Sequence, residues 1–289
     1  MPLVTIDGIQ TRYETLGSGP AILMFSPGGF NATLDAWSTV GVYARTKPLD
    51  YLSRHYTCVV FDKRETGQSG GRIERVTWAD YVAQGKGLLD HLGIERAHVM
   101  GGCLGCSAVL AFGVAHPGVA LSLILYWPAG GAKYRLSTQQ RFAVHLAFVQ
   151  QNGLEKVVAL ACESGKSFSA DPRCGPWAAA LRSDPAFARL YAAYDVEQYK
   201  LIVAAMSRTL FDRDTVPGAE PEDLLRLQLP ALIIPGNDDS LATSAARYLQ
   251  ECLPRGQYWD VGVPEQTEER TRDRLLEFLA ACVSCDPLH

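Results

Sequence analysis

The sequence has no basic block, no apolar leader and no large excess of charge of either sign. Twenty-seven Lys and Arg stand against 31 Asp and Glu, for a formal net charge of −4. Nucleic-acid-binding proteins carry a basic patch or stripe, so a polyanion is excluded as the expected partner. The opening MPLVTIDGIQ holds neither the basic segment nor the apolar core of a signal peptide. The chain is therefore expected to be cytoplasmic.

Cofactor and metal motifs are also lacking. Eight cysteines in 289 residues are too sparse for a disulfide scaffold, which favours free thiols. No Walker lysine, G-x-G-x-x-G fingerprint, zinc-type cysteine pairs or histidine cluster is present, so neither a cofactor nor a metal is expected. A chain of this length suits one large domain with an insertion, and its partner is expected to be a small molecule. The oligomeric state is left open, with a homo-oligomer as one alternative.

Residues 97–132 contain no Lys, Arg, Asp or Glu. Such a run can signal a membrane span, but Gly101, Gly102 and Gly105 interrupt it early and His116-Pro117 interrupts it again. The pattern instead predicts a strand, a helix and a second strand. Buried parallel sheets have this apolar, alternating character, and no contact with a membrane is expected.

The rest of the chain continues the alternation of strands and helices. A hairpin is predicted at the N-terminus, followed by strands at 21–26, 56–62, 97–101, 122–127, 231–235 and 257–261. Helices are predicted at 78–92, 104–115, 243–253 and 268–283. This order predicts an α/β fold with a doubly wound, mostly parallel sheet.

From about residue 130 to residue 227 the alternation stops and the pattern becomes helical throughout. We interpret residues 130–227 as an inserted helical cap, and residues 1–129 with 228–289 as the core. Both ends of the insertion adjoin strands of one sheet. The cap should therefore cover the carboxyl edge of the sheet, where open α/β sheets bind ligands.

Gly101-Gly102-Cys103-Leu104-Gly105 falls between a predicted strand and a predicted helix. Its G-x-C-x-G spacing matches a nucleophile elbow, in which the central residue sits in a strained turn and the glycines let strand and helix approach. Cys103 would then lie at a helix N-terminus, where amide dipoles favour the thiolate. A buried free cysteine under tight packing is the alternative. The C-x-x-C spacing of Cys103 and Cys106 also admits a redox pair, although the elbow accounts for the glycines.

With this elbow, the turn Asp62-Lys63-Arg64-Glu65-Thr66-Gly67 and the late strand LPALIIPGNDD, the chain resembles the α/β-hydrolase superfamily over essentially its whole length. The cysteine elbow is similar to that of cysteine-nucleophile members such as the dienelactone hydrolases. Glu65 departs from the family pattern, which has glycine at that position. The resemblance implies fold and reaction class rather than substrate, since one fold hosts many chemistries.

The resemblance implies roles for residues of three loops. The backbone N–H of Leu104 would form an oxyanion hole with a second donor in the turn Ser26-Pro27-Gly28-Gly29-Phe30, where Gly29 or Phe30 is expected. The acid would lie in Gly236-Asn237-Asp238-Asp239, with Asp239 on the family spacing and Asp238 as the competitor. A solvated turn is the alternative for that loop.

The sequence departs from the superfamily pattern at the position of the catalytic base. The superfamily places a histidine after the last strand, but residues 259–267 read WDVGVPEQT. The sequence positions of five histidines argue against contact with Cys103: His55, His91, His98, His116 and His289. His145, in the first cap helix, is therefore the candidate base, and a packed histidine is the alternative.

Two functions follow from these features. The first is a cofactor-independent hydrolase that forms an acyl-enzyme on Cys103 with an ester, thioester, lactone or activated carbonyl. The second is a lyase, isomerase, cyclase or ligand-binding pseudoenzyme, because the usual histidine is absent. Cap aromatics predict an apolar or aromatic substrate, and Arg135 or Arg141 is a candidate to hold a carboxylate.

Overall fold

The computed structural model describes residues 2–283 of the chain. Residue 1 and residues 284–289, including His289, lie outside the described part. Within it, eight strands form one sheet in the order β1-β2-β4-β3-β5-β6-β7-β8. The strands are β1 (Leu3–Ile6), β2 (Ile9–Leu16), β3 (Ala21–Phe25), β4 (Thr57–Phe61), β5 (Ala97–Gly102), β6 (Ala120–Tyr126), β7 (Ala231–Ile234) and β8 (Gly256–Tyr258).

The sheet is parallel from β4 through β8, and its N-terminal edge is an antiparallel hairpin. β1 pairs with β2 and β2 with β4 in antiparallel register, whereas β3, β5, β6, β7 and β8 continue in parallel. Every residue of β3 and β5 is buried, as expected for strands covered on both faces. The predicted α/β-hydrolase fold class is confirmed, and the charge-free run forms buried strands and their crossover helix.

Twelve α-helices are described. They are α1 (Ala36–Thr39), α2 (Gly41–Thr46), α3 (Pro48–Leu52), α4 (Trp78–His91), α5 (Gly105–Ala115), α6 (Ala132–Ser164), α7 (Ala178–Ser183), α8 (Pro185–Ala192), α9 (Val196–Leu210), α10 (Pro221–Arg226), α11 (Thr243–Cys252) and α12 (Glu268–Val283). The three helices α1 to α3 were not predicted. Each spans six residues or fewer, which is too short for a helical period to emerge from the sequence.

The segment interpreted as a cap, 130–227, contains α6 to α10 and lies between β6 and β7. α6 breaks at Gly153, whose φ of 74° is left-handed. The cap is tied to the core by Trp177, whose Nε1 donates to the carbonyl of Arg72 at 2.8 Å. Phe30 of the core also packs edge-on against Phe168 of the cap, with ring centroids 5.6 Å apart. These contacts hold the cap above the strand ends that carry the candidate site.

None of the helices within residues 2–283 combines the length and the apolar character that a membrane crossing requires.

Candidate active site

The turn between β5 and α5 presents Cys103 in a strained conformation. Its φ is 54°, in the left-handed region that residues other than glycine rarely adopt, and its N–H donates to the carbonyl of Tyr126 at 3.1 Å. The flanking glycines permit the close approach of strand and helix. A Cβ on Gly101 would lie 2.5 Å from the carbonyl oxygen of Gly105, and one on Gly105 would lie 2.4 Å from that of Phe25. The turn thus combines a positive φ at Cys103 with close packing of strand and helix.

Two backbone N–H groups face the sulfur of Cys103, one from Leu104 and one from Gly28. Leu104 was predicted as a donor, whereas the second donor differs from the prediction. The N–H of Gly29 instead points to Oδ1 of Asn31 at 3.2 Å, and Phe30 contributes its ring to the cap contact. Gly28 has a φ of 115°, a backbone conformation that glycine adopts far more readily than other residues.

Cys103 opens into a cavity of about 370 Å³ between the strand ends and the cap. Six aromatic residues line it: Phe30, Tyr43, Trp127, Tyr134, Phe168 and Phe211. Among the described residues, Arg141 and Asp238 supply the charged side chains of its wall. The cavity thus combines an apolar wall with a few polar groups, which is typical of a small-molecule site.

The two arginines proposed for a carboxylate differ in their surroundings. Arg135 is paired with Asp214 at 3.1 Å, so its charge is already neutralised. Arg141 lines the cavity and forms no ion pair with any carboxylate of residues 2–283. Its guanidinium is therefore the cation that the cavity offers to an anionic ligand.

The acid loop after β7 separates its two aspartates. Asp239, which has the family spacing, is an exposed residue paired with Lys133 at 2.7 Å and does not line the cavity. Asp238 does line the cavity, while its Oδ1 accepts from the N–H groups of Ser240 at 2.7 Å and Leu241 at 2.8 Å. Asp238 therefore closes the turn and is the one of the two aspartates that lines the cavity.

His145 does not reach the cavity. It is fully buried inside the cap, where its Nε2 lies 2.6 Å from the hydroxyl of Tyr199 and its ring packs edge-on against Phe168. Burial lowers its pKa to about 4, so the imidazole is neutral. The prediction of His145 as a base beside Cys103 is not supported by this placement, because the side chain points into the cap core rather than toward the elbow.

The remaining described histidines also lie away from the cavity wall. His98, for example, is buried at the opposite end of β5, with Nδ1 2.8 Å from the hydroxyl of Ser122. The loop after β8, where the family carries its histidine, is held by Gln266. This fully buried side chain donates to the carbonyl of Pro235 at 2.8 Å and accepts from Nε1 of Trp127 at 2.7 Å. Gln266 and Trp127 thus give this loop a structural anchor that sequence patterns did not reveal.

The electrostatics of Cys103 are set first by burial, which raises the pKa of the thiol above its ordinary value. The N–H groups of Leu104 and Gly28 act in the opposite direction but do not reverse the shift. Burial therefore outweighs the amide dipoles that favour the thiolate. The same N–H groups can still stabilise an oxyanion that develops during attack on a carbonyl.

Among residues 2–283 no three His, Cys, Asp or Glu side chains come together in a way that could hold a metal ion. Of those residue types, the cavity presents Cys103 and Asp238.

The chain belongs to the α/β-hydrolase fold family, whose model matches residues 22–262. It is similar to a hydrolase from Pseudomonas aeruginosa PA01 of known structure, with a TM-score of 0.63 and 21% identity over 96% of this chain and 97% of that one. This likeness concerns the fold.

Two curated relatives match parts of the chain. The dihydrolipoyllysine-residue acetyltransferase component of the acetoin cleaving system of Cupriavidus necator is 34% identical over 125 residues, which is 43% of this chain. The 2-hydroxy-6-oxononadienedioate/2-hydroxy-6-oxononatrienedioate hydrolase 2 of Pseudomonas putida is 31% identical over 119 residues, which is 40% of this chain. The matches span 31% and 40% of the lengths of these relatives.

Proposed function

We propose that this protein is a cofactor-independent hydrolase in which Cys103 attacks an activated carbonyl. One observation carries the proposal: the backbone N–H groups of Leu104 and Gly28 both face the sulfur of Cys103. Cysteine suits a site without a neighbouring histidine, because a thiol is a better nucleophile than a hydroxyl at neutral pH. The family and the hydrolase among the relatives support the reaction class.

The reaction proceeds in two balanced steps. The sulfur of Cys103 bonds to the carbonyl carbon, the bond to the leaving group breaks, and the leaving group departs with the thiol proton. Water then cleaves the thioester, which releases the acid and restores the thiol. Asp238 is the carboxylate of the cavity wall that can orient this water.

The cavity favours an apolar or aromatic substrate that carries a carboxylate. Six aromatic residues line the cavity, and Arg141 supplies a guanidinium without an ion-pair partner in residues 2–283. A guanidinium and a carboxylate form paired, charge-assisted hydrogen bonds, so such a substrate would be oriented as well as attracted. The substrates for which the Pseudomonas putida hydrolase is named are themselves dicarboxylates.

Acylation by an activated ester tests this function. Intact-protein mass spectrometry of the wild type with a p-nitrophenyl ester of an aromatic carboxylic acid should reveal one acyl adduct, mapped to Cys103. Cys103→Ala should lose it, and Cys162→Ala, which removes an exposed thiol of the cap, should retain it. Labelling of Cys162 without any adduct on Cys103 would rule out covalent catalysis.

A second function is favoured by one observation: none of the histidines in residues 2–283 lines the cavity. A site without this base suits a lyase, isomerase, cyclase or ligand-binding protein that uses the electrostatics of the pocket. Turnover in H₂¹⁸O separates the two, because hydrolysis places one ¹⁸O in the acid product. Undiminished turnover and ligand affinity in Cys103→Ala would favour the second function.

A further inference from the structure

Lys63 is a buried cation beneath the candidate site, in the turn that follows β4. The residue is 1% exposed, and its Nζ lies 4.5 Å from the centre of the Tyr81 ring. It forms no ion pair with a carboxylate of residues 2–283. Burial of an ammonium group is costly unless a partner compensates it, so the position of Lys63 calls for a physical reason.

The hydrogen-bond partner of Lys63 is a backbone carbonyl in the loop that faces Cys103. Nζ of Lys63 lies 3.4 Å from the carbonyl oxygen of Gly28, whose N–H faces the sulfur of Cys103. The carbonyl of Gly28 therefore contacts the ammonium group of Lys63, and its N–H faces the sulfur of Cys103. After burial, the charge of Cys103 has the largest influence on Lys63, and Glu65 follows. Lys63 is in turn the cation that favours ionised Cys103.

We propose that Lys63 is a positioning residue of the Cys103 site, with two effects. Its ammonium holds the Gly28 carbonyl, which fixes the loop that supplies the second N–H donor. Its charge also stabilises the negative charge that develops on the sulfur and the oxyanion, as a histidinium does in a Cys–His pair. This inference rests on the proposed nucleophilic role of Cys103.

The titratable groups around Lys63 and Cys103 set the pH range in which Lys63 carries its charge. Burial lowers the pKa of Lys63 to about 8, while Cys103 and Glu65 oppose that shift, so the ammonium is present at neutral pH. Burial raises the pKa of Glu65 to about 7 against the effect of Arg64. The titratable groups that interact with Cys103 come from five elements or loops: Lys63, Asp238, Tyr43, Tyr134 and Cys106.

The pH dependence of Cys103 alkylation tests the charge of Lys63 without requiring turnover. Iodoacetamide modification, followed by mass spectrometry from pH 6 to 10, should be about 10-fold slower at pH 7 in Lys63→Met than in the wild type. The limiting rate at high pH should be unchanged, because the charge affects ionisation rather than access. Lys63→Arg should restore most of the rate, and Lys86→Met, which removes a half-buried lysine paired with Asp90, is the control.

Superimposable profiles for folded Lys63→Met and the wild type would overturn the inference. If Lys63→Met does not fold, ¹³Cε-lysine NMR of the wild type and Cys103→Ala provides the second measurement. The titration midpoint of Lys63 should fall when the sulfur is removed, and an equal midpoint in both proteins would also overturn the inference. Failure of the hydrolase proposal is distinguished by a normal, Lys63-dependent alkylation profile without any acyl adduct.

Discussion

The turn after β5 and the loop after β8 lie at the same edge of one sheet, yet they relate differently to the family to which the chain belongs. The first turn holds Cys103 at a φ of 54° and presents backbone N–H groups to its sulfur. The second has no histidine and is anchored by Gln266 to Trp127 and to the carbonyl of Pro235.

The contrast between these two loops separates the features of the site that the backbone supplies from those that single side chains supply. The elbow and its N–H donors depend on chain direction and glycine sterics, which the fold maintains. The acid and the base depend on single side chains, and here Asp239 pairs with Lys133 while His145 packs inside the cap. In the proposed mechanism the site keeps backbone donors for an oxyanion, whereas no histidine of residues 2–283 lines the cavity beside the nucleophile.

Replacement of the thiol by a hydroxyl should have the largest effect. In Cys103→Ser the acylation rate should fall roughly 10³-fold, because a serine needs a general base and the cavity wall offers no histidine among residues 2–283. Stopped-flow release of p-nitrophenol measures this rate. A serine variant with nearly wild-type acylation would show that a base operates at the site, and the contrast between the two loops would disappear.

Steric crowding of the elbow should have the next largest effect. In Gly105→Ala the new Cβ would lie 2.4 Å from the carbonyl oxygen of Phe25, which should lower the free energy of unfolding by about 3 kcal/mol. Urea unfolding followed by circular dichroism measures the loss. Gly118→Ala is the control, since its Cβ would meet no atom within 4 Å. Equal midpoints for the two variants would show that the turn tolerates expansion.

Loss of the Arg141 guanidinium should affect substrate binding more than the chemical step. Arg141→Gln should raise the KM of an aromatic ester that carries a carboxylate by about 10- to 100-fold, with little change in kcat. The corresponding neutral ester should be unaffected, and Arg135→Gln, which removes an arginine already paired with Asp214, is the matched control. An equal rise in KM for both esters would contradict a role in carboxylate binding.

Replacement of the cap histidine should have the smallest effect on catalysis. His145→Gln should leave alkylation and turnover within about 2-fold of wild type and cost about 1 kcal/mol of stability through the contact with Tyr199. A 100-fold loss of turnover would instead identify His145 as a base that reaches the site by movement of the cap.

The free energy of unfolding of His145→Gln should also depend on pH less strongly than that of the wild type. The folded pKa of His145 is about 4, below its ordinary value, so the unfolded chain binds more protons between pH 6.5 and 4. Wild-type stability should therefore fall as the pH drops through this range. The fall should be smaller in His145→Gln, with the remainder supplied in part by His98, whose pKa burial also lowers to about 4. Thermal unfolding at several pH values measures the difference.

The sequence by itself determined the order of strands and crossover helices, the parallel sheet and the position of the elbow. These features depend on local periodicity and on glycines two positions before and after Cys103, which are legible along the chain. The helix predicted at 268–283, for example, has the same bounds as α12. The short helices α1 to α3 were missed because their residues repeat over too few turns.

Only the tertiary structure decided which side chains meet at the elbow. Gly28 rather than Gly29 presents its N–H to Cys103, Asp238 rather than Asp239 lines the cavity, and Lys63 lies beneath the loop. Neighbouring residues in a turn point in different directions, and long-range packing selects among them. His145 could not be placed from its sequence position, because a helix offers several faces and only the packing of the cap selects the buried one.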